Sequence, residues 1–323
     1  MRPLRASGCD ETRRRIQRSR MQRGQQHFSP RAARVKILVL GADGMLGHQL
    51  VESLEDRHAV HGTLRLDECA YLRIAEFLPR MVHYGVDARD YRTVSDVLHS
   101  VRPDAVINAL GIVKQREEAK QAVVSLEVNS LFPHRLAHTC GEIGARLVHL
   151  STDCVFSGRQ GLYREADLPD AEDLYGRSKL LGEVVEEGCI TLRTSIIGLE
   201  LARRLSLVEW FLAQRGRISG FRKAVFSGFT TMEMARIIED VLVFHAGRHG
   251  LYHVGSAPID KYSLLCMLRD RIGRPLEIEP DNEFVCDRSL DSFRFQTDFG
   301  YTPPSWPAML DELTAQIMER YAS

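Results

Sequence analysis

Short apolar runs alternate along the chain with longer segments in which apolar residues recur at helical spacing. The clearest unit lies over residues 36–50. Apolar residues fill positions 37–40, three spaced glycines follow, and Leu46 and Leu50 continue at the spacing of a helix. This order predicts a buried parallel strand, a tight turn and the first turns of a helix.

Further apolar runs predict the other strands, and helical patterns such as residues 126–141 lie between them. Strands that alternate with helices at this spacing predict an α/β fold of the Rossmann type, a doubly wound parallel sheet. The predicted strands after the first lie at residues 58–65, 82–86, 103–108, 145–150, 192–198 and 250–254.

The pattern changes after Gly198, which indicates a second, smaller part of the molecule. Residues 207–212 predict an apolar helix, residues 216–228 are basic and contain glycines, and residues 232–244 predict a long helix that returns to the main sheet. We therefore expect a smaller C-terminal α/β lobe that binds the substrate. The predicted division is a basic disordered leader over 1–34, a cofactor-binding domain over 35–198 plus 226–255, and a substrate-binding lobe over 199–225 plus 256–323.

The formal net charge of zero conceals an uneven distribution. Residues 1–36 hold 11 of the 43 Lys and Arg residues but only two of the 43 Asp and Glu residues, so the rest of the chain carries a net charge of −9. An acidic body argues against a general nucleic-acid-binding surface. The leader could be an RNA-binding arm, an organelle-targeting segment, or a disordered extension upstream of a start at Met21, and its lack of apolar periodicity favours the last.

No apolar stretch approaches the length of a membrane span, and no apolar segment follows the basic start as in a secretory signal. The seven cysteines are odd in number, scattered and without a CxxC pair, which favours reduced thiols in the cytoplasm. The histidines show no metal-ligand spacing, so we expect no metal site. The sequence leaves a homodimer open.

The glycines at 41, 44 and 47 are typical of a dinucleotide site, where the start of a helix faces a pyrophosphate. An ordinary strand, loop and helix without a ligand is the alternative. Arg65, at the end of the second predicted strand, favours the 2′-phosphate of NADP over NAD, unless it is only a solvated loop charge. The predicted cofactor contacts are Gly41, Asp43, Gly44, Met45, Leu46, Gly47, Arg65, Asp87, Ala109, Leu110, Gly111, Asn129, Tyr175 and Lys179.

Three residues near the fifth predicted strand are the candidate catalytic set. Thr152 follows that strand, and Tyr175 and Lys179 are four residues apart, hence on one face of a predicted helix. A lysine and an oxidised nicotinamide near a tyrosine hydroxyl favour the phenolate and lower the tyrosine pKa. Thr152 could then orient a carbonyl oxygen while Tyr175 protonates it.

At these residues the chain resembles the extended short-chain dehydrogenase/reductases, and within them the dTDP-4-dehydrorhamnose reductase group. The resemblance rests on the glycine trio, Asn108-Ala109, Ser151-Thr152-Asp153 and the Tyr175-Gly-Arg-Ser-Lys179 motif. It implies a nicotinamide cofactor and a Thr-Tyr-Lys catalytic set. Cys154 departs from the group, which usually has an aromatic residue there, so the identity of the sugar stays open.

The resemblance implies NADPH-dependent reduction of the 4-keto group of a 6-deoxyhexose on a dTDP or UDP carrier, in cell-surface polysaccharide synthesis. The alternatives are an NAD-dependent nucleotide-sugar 4-epimerase and a catalytically silent NADP-binding regulatory subunit. Arginine forks suit phosphate oxygens, although Arg288 could equally be an ordinary surface charge. The predicted substrate contacts are Asp153, Cys154, Arg222 and Arg288.

Overall fold

A seven-stranded parallel sheet forms the centre of the molecule. The structure, a computed structural model, describes residues 34–112, 121–202 and 204–321. The strand order β10-β6-β5-β4-β1-β2-β3 is that of a doubly wound sheet, which confirms the predicted Rossmann-type fold. The strands are β1 Lys36–Leu40, β2 Ala59–Thr63, β3 Met81–His83, β4 Ala105–Asn108, β5 Arg146–Thr152, β6 Cys189–Thr194 and β10 Gly250–His253.

Helices cover both faces of this sheet because alternate side chains of each strand point to opposite sides. In β1, Val39 packs into one apolar core and Leu38 into another. The helices are α1 Met45–Leu54, α2 Tyr91–Val101, α3 Ala122–Leu126, a π turn over Glu127–Leu131, α4 Phe132–Ile143, α5 Leu174–Leu181, α6 Leu207–Ala213, α7 Thr231–Phe244, α8 Lys261–Ile272, α9 Phe293–Phe299 and α10 Trp306–Tyr321, with 3₁₀ segments over Glu68–Phe77 and Asp153–Val155.

A second, three-stranded sheet lies in the later part of the chain. Its central strand β8 (Arg217–Phe226) pairs in parallel with β12 (Glu277–Asp287) and antiparallel with β11 (Ile259–Asp260). Helix α8 packs on this sheet so closely that a Cβ on Gly220 would lie 3.0 Å from the Cα of Tyr262. The smaller lobe was expected from this part of the sequence, and the exact boundaries of the two domains stay a prediction.

The predicted strand over residues 192–198 is wrong at both ends. β6 begins three residues earlier, and the chain leaves the main sheet after Thr194. Ile196–Ile197 instead forms β7, which pairs with β9 (Phe229–Thr230) in a separate small sheet. Polar residues occur within β6, as Thr191 and Arg193 show, as well as at the break, so hydrophobicity alone could not locate it.

Residues 1–33, nearly all of the predicted basic leader, lie outside the described residues. Within residues 34–112, 121–202 and 204–321, no helix combines the length and apolar composition needed to cross a membrane. The same residues contain no cluster of three or more His, Cys, Asp or Glu side chains that could hold a metal ion.

Candidate active site

The glycine turn between β1 and α1 is folded tightly back on itself. Gly41 has a φ of +81°, a conformation that favours glycine. Its amide donates to Thr63 Oγ1 on β2 at 3.2 Å, and the amide of Gly44 donates to the Gly41 carbonyl at 3.0 Å. A Cβ on Gly47 would lie 2.0 Å from that carbonyl oxygen. The start of α1 is therefore held against the turn by backbone contact.

The backbone of this turn is shaped to fit a dinucleotide. Gly44 is the N-cap of α1 and has no side chain that could cap the first amides of the helix. Helix-start amides are favourable partners for phosphate oxygens. The predicted contacts Asp43, Met45 and Leu46 lie in or beside this turn, and their contact with a cofactor stays a prediction.

Three charged residues lie beyond the ends of β2 and β3. Arg65 is exposed, two residues after β2 ends, and it acts electrostatically on the Asp87 carboxylate. That carboxylate accepts hydrogen bonds from the side chain and the backbone amide of Arg89, each at 3.0 Å. These Arg89 bonds are the main reason that the pKa of Asp87 lies below its usual value. The site thus contains a second arginine, Arg89, which the sequence reasoning missed.

The loop after β4 lies against the glycine turn. A Cβ on Gly41 would lie 2.6 Å from Leu110 Cδ2, so the Leu110 side chain covers that glycine. The loop is held by Asn108, whose Oδ1 accepts from the Leu110 amide at 3.2 Å. Ala109 and Gly111, both half-buried, flank this contact. The structure therefore brings the predicted cofactor residues of the loop after β4 next to those of the glycine turn.

The Asn129 side chain links the loop after β4 to helix α5 by hydrogen bonds. Its Oδ1 accepts from the Ile112 amide at 2.9 Å, and its Nδ2 donates to the Ile112 carbonyl and to Ser178 Oγ, each at 3.1 Å. Asn129 lies in the π turn, an irregularity that is frequent at functional sites. The geometry gives Asn129 a positioning role next to Lys179, and its direct contact with the cofactor stays a prediction.

The three predicted catalytic residues meet at the carboxyl end of β5. Thr152 is the last residue of that strand, and Tyr175 and Lys179 lie on α5, which begins after the N-cap Asp173. The Thr152 side chain lies near enough to Tyr175 to act on its pKa, and its Oγ1 accepts from the Cys154 amide at 3.1 Å. The ammonium of Lys179 donates to the Leu150 carbonyl at 2.6 Å. Helix α5 packs closely against the segment that follows β5, as Gly176 shows: a Cβ at this position would lie 2.2 Å from the Cys154 carbonyl oxygen.

Burial controls the protonation of these side chains. It raises the pKa of Tyr175 well above its ordinary value, and the nearby Thr152 side chain opposes that rise only in part. The phenol is therefore protonated at neutral pH and able to donate a proton. Burial also lowers the pKa of Lys179 to about 8. The predicted lowering of the tyrosine pKa by Lys179 and an oxidised nicotinamide concerns the loaded site and stays a prediction.

A second group of side chains surrounds Asp153 and Cys154, directly after Thr152. Burial raises the pKa of Asp153, while Arg288 and Lys261 act on it in the opposite direction. Arg288 Nη1 lies 3.6 Å from the Cys154 sulfur, and its Nε donates to the Phe156 carbonyl at 2.8 Å. The small sheet thus contributes Arg288, and α8 contributes Lys261, to the edge of the site.

Two further observations concern the substrate side of the site. Arg222 lies over the ring of Tyr262, 4.8 Å from its centroid, and its substrate role stays a prediction. Lys261 was missed because nothing in its local sequence marks it. Only the fold of the smaller sheet brings the start of α8 next to β5.

A family model described as RmlD substrate binding domain matches residues 35–219. The chain is 25% identical over 305 residues to a dTDP-4-dehydrorhamnose reductase of Aggregatibacter actinomycetemcomitans, covering 87% of this chain and 98% of the relative. It is 27% identical over 263 residues to methionine adenosyltransferase 2 subunit beta of Rattus norvegicus, covering 74% of this chain and 73% of the relative.

The fold also matches solved structures. A crystal structure of a dTDP-4-dehydrorhamnose reductase from Bacillus anthracis in complex with NADP superposes with a TM-score of 0.73 at 19% identity, over 88% of this chain and all of the other. At this identity the likeness is one of fold. It agrees with the Rossmann-type fold described above.

Proposed function

Because the chain belongs to the RmlD substrate-binding-domain family, we propose that it uses NADPH to reduce the 4-keto group of a nucleoside-diphosphate 6-deoxyhexose for cell-surface polysaccharide synthesis. The observation that carries this proposal is the meeting of Thr152, Tyr175 and Lys179 at the carboxyl end of β5. Ligands bind at that edge in open α/β sheets. The related reductase of A. actinomycetemcomitans supports the reaction class.

The side chains divide the work of reduction. When bound, the nicotinamide supplies the hydride that adds to the carbonyl carbon. The Thr152 side chain lies near the Tyr175 hydroxyl and acts on its pKa, so a single carbonyl oxygen can lie within reach of both hydroxyls. Tyr175 then gives that oxygen its proton, and Thr152 orients it. The Lys179 ammonium stabilises the negative charge left on the phenol.

The substrate carrier fits the positive charge at the opposite side of the site. Arg288, which follows β12 of the small sheet, and Lys261, at the start of α8, both act electrostatically on the Asp153 carboxyl. Arg288 also lies beside the Cys154 sulfur. Guanidinium and ammonium groups are suited to diphosphate oxygens. We therefore place the cofactor on the main sheet and the sugar nucleotide between Asp153, Cys154 and the smaller lobe. The B. anthracis structure with NADP supports the choice of cofactor.

Replacing Arg65 by Ala is expected to raise the KM for NADPH about tenfold and to leave the KM for NADH unchanged. The reason is that a charge-assisted hydrogen bond to a 2′-phosphate contributes about 1.5–3 kcal/mol, whereas NADH has no such group. Steady-state kinetics with both cofactors measures the ratio. Arg57→Ala is the matched control, because Arg57 pairs with Glu239 before β2 begins, at the opposite end of that strand. An equal change for both cofactors would contradict the assignment.

The reductase activity is tested with purified protein, NADPH or NADH, and freshly made dTDP- and UDP-linked 4-keto-6-deoxy sugars. We expect stoichiometric loss of reduced nicotinamide and a new secondary alcohol, identified by NMR of the product. A 4-epimerase would convert its sugar without net consumption of reductant.

The regulatory-subunit alternative draws on one comparison, the similarity to methionine adenosyltransferase 2 subunit beta. It predicts NADPH binding without turnover of any sugar in the panel. That result would overturn the proposed reductase. The intact Tyr175 and Lys179 favour catalysis, because a binding subunit does not need either side chain in this arrangement.

A further inference from the structure

A buried ion pair lies directly behind the catalytic residues. Glu183, two residues after α5, accepts hydrogen bonds from Arg193 Nε at 2.8 Å and from Arg193 Nη2 at 2.7 Å. The side chains of Glu183 and Arg193 are only 8% and 3% exposed. The same carboxylate accepts from Ser151 Oγ at 2.6 Å. Because Ser151 precedes Thr152, this hydrogen bond links the Glu183–Arg193 ion pair to the end of β5 that carries Thr152.

Arg193 extends this contact to the loop that follows Thr152. Its Nη1 lies 3.1 Å from Nε2 of His253, and Nδ1 of that histidine lies 2.8 Å from the Tyr163 carbonyl. A carbonyl can only accept, so Nδ1 carries the proton and Nε2 accepts from Arg193. Burial and Arg193 lower the pKa of His253 to about 4, which agrees with a neutral ring. The guanidinium also lies over the ring of Phe156, 5.3 Å from its centroid.

Glu183 also acts on the catalytic lysine from nearby, since its carboxylate accepts from Ser151 Oγ and the Lys179 ammonium donates to the carbonyl of Leu150, the residue before Ser151. Burial lowers the pKa of Lys179, and the negative charge of Glu183, one helical turn away in sequence, acts against that effect. His149 on β5 is fully buried and stays neutral, because burial and the Lys179 charge both lower its pKa. Other titratable or charged groups on the elements packed against α5 are Asp153, Cys154, Glu127, His134 and Arg146, and Arg193 lies behind Glu183.

We infer that Glu183 is a positioning residue of the catalytic set, which orients the end of β5 that carries Thr152 and stabilises the ammonium group of Lys179. This inference rests on the proposed reductase function. A buried ion pair is weak evidence for stability, since apolar residues of similar volume often stabilise as well. The Glu183 carboxylate interacts with Ser151, with Arg193 and with the charge of Lys179. An apolar side chain at this position could make none of these interactions.

The experiment uses the lysine side chains as the readout. The chain has only six lysines, so a protein made with ¹³C-labelled lysine gives few Cε signals, and Lys179→Arg assigns the one of interest. In the full-length protein we expect the Lys179 signal to titrate near its pKa of about 8. In Glu183→Gln we expect the midpoint to fall by about one pH unit or more, and the alkaline limb of kcat to move with it.

Two further variants separate the two parts of the role. Ser151→Ala removes the link to β5 and keeps the ion pair, so we expect kcat to fall about threefold with an unchanged KM and an unchanged lysine titration. Glu209→Gln is the matched control, because Glu209 is an equally buried carboxylate on α6 that accepts from Tyr321 Oη at 2.9 Å. It should leave the Lys179 midpoint unchanged.

An unchanged Lys179 midpoint in folded Glu183→Gln would overturn the inference, as would an unchanged kcat in Ser151→Ala. Should Glu183→Gln not fold, Glu183→Asp takes its place, with a smaller downward shift expected and no shift again contradicting the inference. The titration needs no sugar. A wild-type protein without reductase activity would therefore overturn the proposed function, while the titration still decides the role of Glu183.

Discussion

Replacing Tyr175 by Phe is expected to lower kcat for ketone reduction about a thousandfold. The phenol is the proton donor in the site, and general acid catalysis contributes roughly 10²–10⁴ in rate. Burial holds the phenol in its protonated form. The substitution removes the hydroxyl and keeps the aromatic ring. The measurement is single-turnover oxidation of NADPH with the sugar that the panel identifies.

The control for this variant is cofactor binding. NADPH binding, followed by fluorescence, should weaken only about threefold in Tyr175→Phe, because Tyr175 is one of many predicted cofactor contacts and the glycine turn and Arg65 are untouched. The Tm should change by only a few degrees, since the substitution removes one hydroxyl and keeps the ring. A variant that retains kcat within threefold would show that another group delivers the proton, and Asp153 would then be the next to replace.

The parts of the site that depend on local pattern were predictable from the sequence. The glycine turn follows from an apolar strand that breaks into three glycines, and the pairing of Tyr175 with Lys179 follows from helix periodicity. Their meeting with Thr152 required one more step, the rule that parallel strands place their carboxyl ends at one edge. In the structure Thr152 is the last residue of β5 and lies near Tyr175, and the catalytic role of the three residues stays a prediction.

The parts that depend on distant segments were not predictable. Lys261 is an ordinary charge in the sequence until the fold places the start of α8 near Asp153. Asn129 forms hydrogen bonds with Ile112 and Ser178 that its local sequence does not indicate, and its contact with the cofactor stays a prediction. The role of such a side chain depends on the hydrogen-bond partners that the packing of other segments supplies.

The two roles of the glycines can be separated by single substitutions. Gly47→Ala is expected to lower the free energy of unfolding by about 3 kcal/mol and to weaken NADPH binding about a hundredfold. Its Cβ would lie 2.0 Å from the Gly41 carbonyl oxygen and 2.8 Å from the Gly41 carbonyl carbon, both backbone atoms. Since neither can move aside as a flexible side chain would, α1 must shift away from the turn. Denaturant unfolding and fluorescence titration measure the two effects.

Gly44→Ala provides the contrast within the same turn. Its Cβ would lie 3.2 Å from the Gly41 carbonyl oxygen, which requires only a small adjustment, so we expect NADPH binding to weaken with little loss of stability. Gly141→Ala, in α4 with nothing within 4 Å of the added Cβ, should stabilise the protein by roughly 0.5–1 kcal/mol and leave binding unchanged. If the free energies of unfolding of Gly47→Ala and Gly44→Ala were equal, close packing of α1 on the turn would not explain the requirement for glycine at position 47.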